Sequence, residues 1–188
     1  MKLSHSKLST ILSCPMSYYL SYIEGISPIQ EKAALYVGSA VHWGIEHNSE
    51  DLTEYFKSEQ SQYSRDQLLA EAMCHGYLKH KDELFKQILS TPDGASLNLM
   101  NESHEVYITG KLNSFKNVEV VHDFVGIIDL LLLTDKGFII IDYKTSSYDP
   151  DWTTYLEQIY RYIFLIKSEF PDIPIIKIGI HTNILNIA

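Results

Sequence analysis

Two aspartates and a lysine stand within or at the end of strongly apolar runs, where charged side chains are unusual. Asp129 lies inside the run 125–133, and Asp142 and Lys144 close the run that begins at residue 138. An ionised carboxylate is costly to bury without a partner, so both aspartates need a chemical explanation. Two neighbouring carboxylates repel each other unless one is protonated or a cation lies between them. A divalent ion is the economical solution, and hard oxygen ligands favour Mg²⁺ or Mn²⁺ over Zn²⁺.

Lys144 follows Asp142 by two residues, so on a strand both side chains leave the same face. An ammonium group beside a bound dication can orient the attacking water or stabilise charge that develops on a phosphate. The alternative is an ordinary ion pair at the end of a strand. For Asp-Tyr-Lys taken alone, that structural role is the commoner one.

The two apolar runs flank a short turn at residues 134–137 and predict a β-hairpin. Because both runs are apolar on both faces, the hairpin should lie centrally in a sheet. A two-residue loop would place Asp129 opposite Asp142, with the Cβ atoms roughly 5 Å apart. A bulged, left-handed Gly137 would instead place Asp129 opposite Tyr143 and turn the carboxylates to opposite faces. The metal hypothesis requires the first register, or a bulge that restores it.

The remaining sequence predicts the elements that position these groups. Residues 1–90 are mainly helical, with predicted helices at about 4–12, 15–24, 33–47, 51–63 and 65–89. A turn at 91–94 is the clearest internal boundary. Beyond it, the pattern predicts strands at 102–112, 118–121 and 175–180, the hairpin, and a helix at 151–170. We therefore expect one α/β domain over residues 1–188, with a sheet core at 101–188 and helices packed on a central mixed sheet.

Composition limits the function further. The longest apolar runs have the length of strands, and the first residues lack the apolar stretch of a secretory signal, so we expect a cytoplasmic protein without membrane segments. The only cysteines are Cys14 and Cys74, too few for a disulfide framework or for a four-cysteine cluster held by this chain alone. The formal charge of −9 is unusual for a nucleic-acid-binding protein, because phosphate contacts need basic groups.

Five short motifs, in order from about residue 4 to 165, resemble the RecB-like branch of the PD-(D/E)XK nuclease superfamily. They are Ser6-Lys7-Leu8 with Cys14-Pro15-Met16-Ser17-Tyr18-Tyr19, then Gly38-Ser39-Ala40-Val41-His42 with Glu46, Gly126-Ile127-Ile128-Asp129, Ile141-Asp142-Tyr143-Lys144-Thr145, and the helix pair Gln158 and Tyr162. Each motif is weak by itself, but five in the expected order are highly specific.

The resemblance implies a restriction-endonuclease-like fold and metal-dependent hydrolysis of DNA. It implies that Mg²⁺ or Mn²⁺ is held by His42, Asp129, Asp142 and the backbone carbonyl of Tyr143. Lys144 would act on the water or the scissile phosphate, with Asp129 and Asp142 as the other catalytic residues. Gln158 and Tyr162 would line the DNA side. A further acidic position of some members corresponds to Glu105, although Glu102 is an equal candidate.

The sequence also departs from part of that family. Iron–sulfur members, which include the CRISPR-adaptation exonucleases, use three more cysteines near the C-terminus; without them, we expect no cluster, although Cys14 occupies the place of their first cysteine. The expected activity is a DNA exonuclease in recombination, repair or end processing. Two alternatives stay open: an inactive DNA-binding or scaffolding module, and a subunit that cuts only beside a helicase or a recombination or annealing protein.

Overall fold

The computed structural model describes residues 2–26, 33–58, 64–113, 121–145 and 152–182. Contacts divide the chain into two compact units. The first comprises Met1–Glu31, Val106–Ile128 and Asp151–Pro174; the second comprises Lys32–Glu105, Asp129–Pro150 and Ile175–Ala188. Each unit is therefore assembled from three separate segments of the sequence.

The helices lie where the apolar periodicity predicts them. They are α1 His5–Ser13, α2 Pro15–Tyr18, α3 Ala33–Glu46, α4 Thr53–Ser58, α5 Ser64–Leu89 and α6 Trp152–Glu169, and α2 continues into a π-helical turn, Tyr19–Ile23. The Ser4 side chain accepts a hydrogen bond from the Lys7 N–H and caps α1, and Pro15 occupies the first turn of α2. Residues 59–63 of the helix predicted at 51–63 lie outside the described residues. None of the described helices combines the length and apolarity needed to cross a bilayer.

The predicted central mixed sheet is confirmed, and it has five strands within the part of the chain that the structure describes. They are β1 Leu3–Ser4, β2 Leu99–Asn113, β3 Val121–Thr134, β4 Gly137–Lys144 and β5 Ile175–Thr182. The order is β1-β3-β4-β5, and β2 also pairs with β3. β1 runs parallel to β3, β3 antiparallel to β4, and β4 parallel to β5. The two-residue strand β1 was not predicted, because it is too short to show alternation; residues 118–120 of a predicted strand lie outside the described residues.

The β3–β4 hairpin has the first of the two predicted registers. Thr134 pairs with Gly137, and the pairing continues to Leu130 opposite Ile141. Gly137 does adopt a positive φ of 139°, which a residue with a side chain rarely tolerates, but the register does not slip. The next residue on β3 is Asp129 and the next on β4 is Asp142, so the ladder ends where the two carboxylates begin.

A single apolar core holds α3 and α5 against this hairpin within the second unit. All four elements contribute buried side chains to it, among them Val41, Ile45, Met73, Tyr77, Leu130, Leu132, Ile139 and Ile141. Every residue of β4 from Gly137 to Tyr143 is buried. The core therefore fixes the helix that bears His42 relative to the strands that bear the two aspartates.

Candidate metal centre

Three side chains from distant parts of the sequence meet in the second unit. His42 lies on α3, Glu105 on β2 and Asp129 on β3. The His42 Nδ1 atom is 3.1 Å from Glu105 Oε1 and 3.5 Å from Asp129 Oδ1. One ligand atom from each residue lies within 4.8 Å of the other two, so the described residues contain a group that could hold a metal ion.

The backbone of β4 fixes Asp129 from the other side. The Tyr143 N–H donates a hydrogen bond to Asp129 Oδ2, with the two atoms 2.6 Å apart. One carboxylate oxygen is thus held by the neighbouring strand, while Oδ1 points to His42. Hydrogen bonds to a charged carboxylate are among the stronger interactions in a buried environment. This bond orients Asp129 toward the centre of the cluster.

Helix α3 approaches the end of β4 closely at Gly38. A Cβ atom added there would lie 3.2 Å from Thr145 Oγ1, tighter than most real Cβ contacts. Two of the sequence motifs, the one ending in His42 and the one ending in Thr145, therefore meet in the fold. Glycine at this position permits the approach that brings His42 to the strand ends.

Glu105 reaches the cluster with an unusual backbone. Its φ of 48° is in the left-handed region, which costs a residue with a side chain roughly 1–3 kcal/mol and is enriched at functional sites. Glu102, the other candidate from the sequence, is bound elsewhere: its Oε1 lies 2.9 Å from Lys81 Nζ and 2.8 Å from His104 Nε2. The structure therefore brings Glu105, and not Glu102, to His42 and Asp129.

Asp142 and Lys144 form a buried ion pair next to the cluster. Lys144 Nζ lies 2.6 Å from Asp142 Oδ2, and the side chains are 19% and 1% exposed, respectively. Asp142 is not a member of the three-residue group found among the described residues, although its charge acts on both His42 and Asp129. The predicted ligand Asp142 thus lies beside the group and contacts the predicted catalytic lysine.

Burial and charge alter the titration of two members of the cluster. The pKa of Asp129 is raised to about 7, mainly by burial and also by the charge of Asp142, whereas His42, the Tyr143 N–H and Lys144 act in the opposite direction. Burial lowers the pKa of His42, but the hydrogen bond to Glu105 and the nearby carboxylates outweigh it and leave the pKa above its ordinary value. Raised pKa values are typical both of a buried carboxyl group beside another carboxylate and of a histidine beside several carboxylates.

These residues fit a hard divalent cation. Metal–oxygen bonds of about 2.0–2.1 Å place neighbouring ligand atoms roughly 3 Å apart and opposite ones roughly 4 Å apart. The spacing in the cluster approaches these values, so only a small adjustment would be needed. Two carboxylates suit Mg²⁺ or Mn²⁺, and the imidazole suits the softer of the two, Mn²⁺.

Gln158 and Tyr162 belong to the first unit and contact each other on α6. The Gln158 Nε2 donates a hydrogen bond to the Tyr162 hydroxyl at 2.6 Å. Tyr162 is only 4% exposed. A Cβ added to Gly126 would lie 2.9 Å from its ring, so glycine in the Gly-Ile-Ile-Asp motif makes room for this tyrosine. Within this unit Tyr162 supports Gln158, which is the more accessible of the pair.

Sequence reasoning missed the contribution of α5. Tyr77 has a buried hydroxyl 2.7 Å from that of Tyr143, but in the sequence it is one apolar position among many in a long helix. A buried tyrosine needs a hydrogen-bond partner, and that rule was the only available signal. It could not have named the partner.

A family model and one solved structure agree with this architecture. The family model of the PD-(D/E)XK nuclease superfamily matches residues 2–176, nearly the whole chain. No curated protein matches the sequence. A crystal structure of an exonuclease candidate from Eubacterium rectale is similar in fold, with a TM-score of 0.61 and 15% identity over 96% of this chain and 68% of that chain. The solved protein SSO0001 aligns over 81% of this chain and 73% of its own, with 16% identity and a TM-score of 0.33. From the family match and the mixed sheet that bears the carboxylates, we conclude that this chain belongs to the PD-(D/E)XK nuclease superfamily.

Proposed function

We propose that this protein is a Mg²⁺- or Mn²⁺-dependent DNA exonuclease of the RecB-like branch, without an iron–sulfur cluster, that works in the cytoplasm in recombination, repair or end processing. The observation that supports the proposal best is the convergence of His42, Glu105 and Asp129 beside the Asp142–Lys144 pair. A structural ion pair alone would not need a histidine and a strained glutamate next to it.

Each residue has a separate task in this proposal. His42, Glu105 and Asp129 hold the ion, assisted by Asp142 and the Tyr143 carbonyl. When bound, the ion supplies Lewis acidity to a phosphate oxygen and lowers the pKa of a water molecule. The Lys144 ammonium, held in place by Asp142, donates hydrogen bonds to the attacking water or to the oxygens of the scissile phosphate.

Contact with DNA is assigned to α6. Gln158 would donate or accept hydrogen bonds on the DNA, and Tyr162 would hold its amide in place through the bond between the two side chains. The choice of exonuclease over site-specific cleavage rests on the resembled branch, which mostly processes ends. The description of the Eubacterium rectale protein as an exonuclease candidate is consistent with this choice.

Cleavage of linear DNA in the presence of Mn²⁺ tests the proposal. Substituting Asp142→Ala should lower the rate by roughly 100-fold or more while the fold is retained, because the charges around the ion and Lys144 are disrupted. Asp123→Ala is the matched control, because Asp123 is an exposed aspartate of the same hairpin's first strand. Closed circular DNA should resist digestion. An unaffected rate in the Asp142→Ala protein would refute the assignment.

The acidic composition favours one alternative, a subunit that cuts only with a partner. A charge of −9 opposes approach to a polyanion unless cations or a basic partner compensate. Adding a helicase or an annealing protein to the same assay tests this directly. Activity that appears only with the partner would support the alternative, whereas DNA binding without turnover under any condition would indicate a scaffolding module.

A further inference from the structure

A pair of tyrosines adjoins the candidate metal centre in the second unit. Tyr77 on α5 and Tyr143 on β4 are 3% and 2% exposed, and their hydroxyl oxygens are 2.7 Å apart. Their rings pack edge to face, with centroids 5.4 Å apart and an angle of 79°. His181, which is paired with Tyr143 across β4 and β5, contacts the edges of both rings. The Tyr143 side chain is thus enclosed, and its one polar atom is bound by Tyr77.

Tyr143 in turn touches two of the three members of the metal centre. Its N–H holds Asp129 Oδ2 at 2.6 Å. Its ring meets the His42 ring at 90°, with centroids 6.1 Å apart. A displacement of Tyr143 would therefore be transmitted both to a carboxylate ligand and to the imidazole ligand.

We propose that Tyr77 is a positioning residue for the metal centre: its hydroxyl anchors Tyr143, and Tyr143 sets the positions of Asp129 and His42. The inference rests on the proposed function, because it assumes that the cluster binds a divalent ion. Tyr77 is not one of the three residues that form the candidate metal site, and it acts on them through Tyr143. Outer-shell residues of this kind commonly change metal affinity by about 10- to 100-fold when they are altered.

Three variants separate positioning from simple packing. Tyr77→Phe and Tyr143→Phe each remove one hydroxyl, keep the ring, and leave the remaining buried hydroxyl without its partner. The double variant removes both hydroxyls, so no polar group is left unsatisfied and much of the lost stability should return. The hydrogen bond between the two hydroxyl groups is absent from both single variants and from the double variant. The affinity for Mn²⁺ should therefore be low in all three.

The electron paramagnetic resonance signal of free Mn²⁺ gives the dissociation constant for Mn²⁺. Urea unfolding in EDTA gives the stability of each variant without bound metal. We expect about 10-fold weaker binding in all three variants, with lower stability in the singles and recovery in the double. Tyr18→Phe removes a hydroxyl from a buried tyrosine of the first unit and should leave the Mn²⁺ affinity unchanged.

Two results would overturn the inference while leaving the proposed function intact. One is wild-type Mn²⁺ affinity in Tyr77→Phe; the other is an affinity that recovers together with stability in the double variant, which would indicate a purely structural role. The proposed function itself fails if the wild-type protein binds no Mn²⁺, or if Asp129→Asn binds it as tightly as the wild type. Either of these outcomes would also remove the basis for the role of Tyr77.

Discussion

The two partners of the Asp142–Lys144 pair differ in their access to water. Asp142 is 1% exposed, whereas the Lys144 side chain is 19% exposed. Losing the lysine leaves a carboxylate that water can scarcely reach. Losing the carboxylate's charge leaves an ammonium that can still be hydrated. The stability of the fold should therefore depend more on the lysine, even though both residues are expected to be needed for cleavage.

Lys144→Met should destabilise the protein by about 3 kcal/mol, because it removes the cationic partner of a buried carboxylate. Asp142→Asn should destabilise the protein distinctly less than Lys144→Met does, because it removes the buried charge itself. Chemical unfolding in EDTA, at neutral pH, measures both. Equal losses, or a larger loss in the asparagine variant, would show that the buried carboxylate is stabilised mainly by groups other than Lys144.

At the scale of single elements, strand β2 departs from regular geometry at Glu105, a residue of the candidate metal centre. Glu105 has a φ of 48°, whereas no other residue described in β2 has a positive φ. A strand that alternates regularly would present residues 103, 105 and 107 on one face. The left-handed residue changes the local direction of the chain and aims the Glu105 carboxylate at His42.

Comparing Glu105→Gly with Glu105→Ala tests this backbone conformation. Both variants should lose Mn²⁺ affinity because they lack the carboxylate. The glycine variant should be the more stable by about 1 kcal/mol, because glycine adopts a positive φ without a steric penalty. Thr109 is an exposed position on the same strand, and there the alanine variant should be more stable than the glycine variant. Greater stability of the alanine variant at position 105, measured by urea unfolding, would contradict the assigned conformation.

A second contact of β2 links it to α5 and depends on pH. Burial by itself would raise the pKa of Glu102, but the hydrogen bonds and charges of Lys81 and His104 hold it below its ordinary value. A carboxylate with a lowered pKa stabilises the folded state at pH values above its unfolded pKa. That stabilisation is lost as the pH falls through the folded pKa.

We therefore expect the stability difference between wild type and Glu102→Gln to be present above about pH 5 and to shrink below about pH 4. Urea unfolding at closely spaced pH values provides the measurement. Glu83→Gln removes a partner of Lys86 from a pair whose side chains are more than 60% exposed, and should show little effect at any pH. A difference that does not shrink below about pH 4 would contradict the assignment of Lys81 and His104 as the partners that lower the pKa of Glu102.

At the scale of the whole molecule, the charge of −9 opposes the binding of DNA. Part of the negative charge belongs to the candidate metal centre, where two carboxylates face one histidine. A bound dication would offset it at the point where the phosphate must approach. Divalent ions should therefore act on binding as well as on cleavage.

In EDTA, we expect the protein to bind linear DNA more weakly than about 10 µM at physiological salt. Mn²⁺ should tighten binding of the Lys144→Met variant, which keeps the three-residue cluster but should not cleave. Fluorescence anisotropy with a labelled duplex gives both affinities. Tight binding in EDTA would show that a basic surface compensates for the net charge, and would weaken the case for a partner.

The sequence alone determined the helices, the longer strands and the hairpin, because these depend on local patterns, whereas the two-residue strand β1 was not predicted. Alternation and helical spacing are properties of neighbouring residues, and the short turn at 134–137 left only two registers. The pairing of Thr134 with Gly137 then brought the ends of both strands, with Asp129 and Asp142, to the same place.

Only the tertiary structure decided which side chains converge. The choice of Glu105 over Glu102 depends on one left-handed residue, which periodicity does not reveal. The contact of Tyr77 with Tyr143 joins residues 66 positions apart. Such contacts are set by the packing of α3 and α5 on the hairpin, since burial determines which distant groups must satisfy one another.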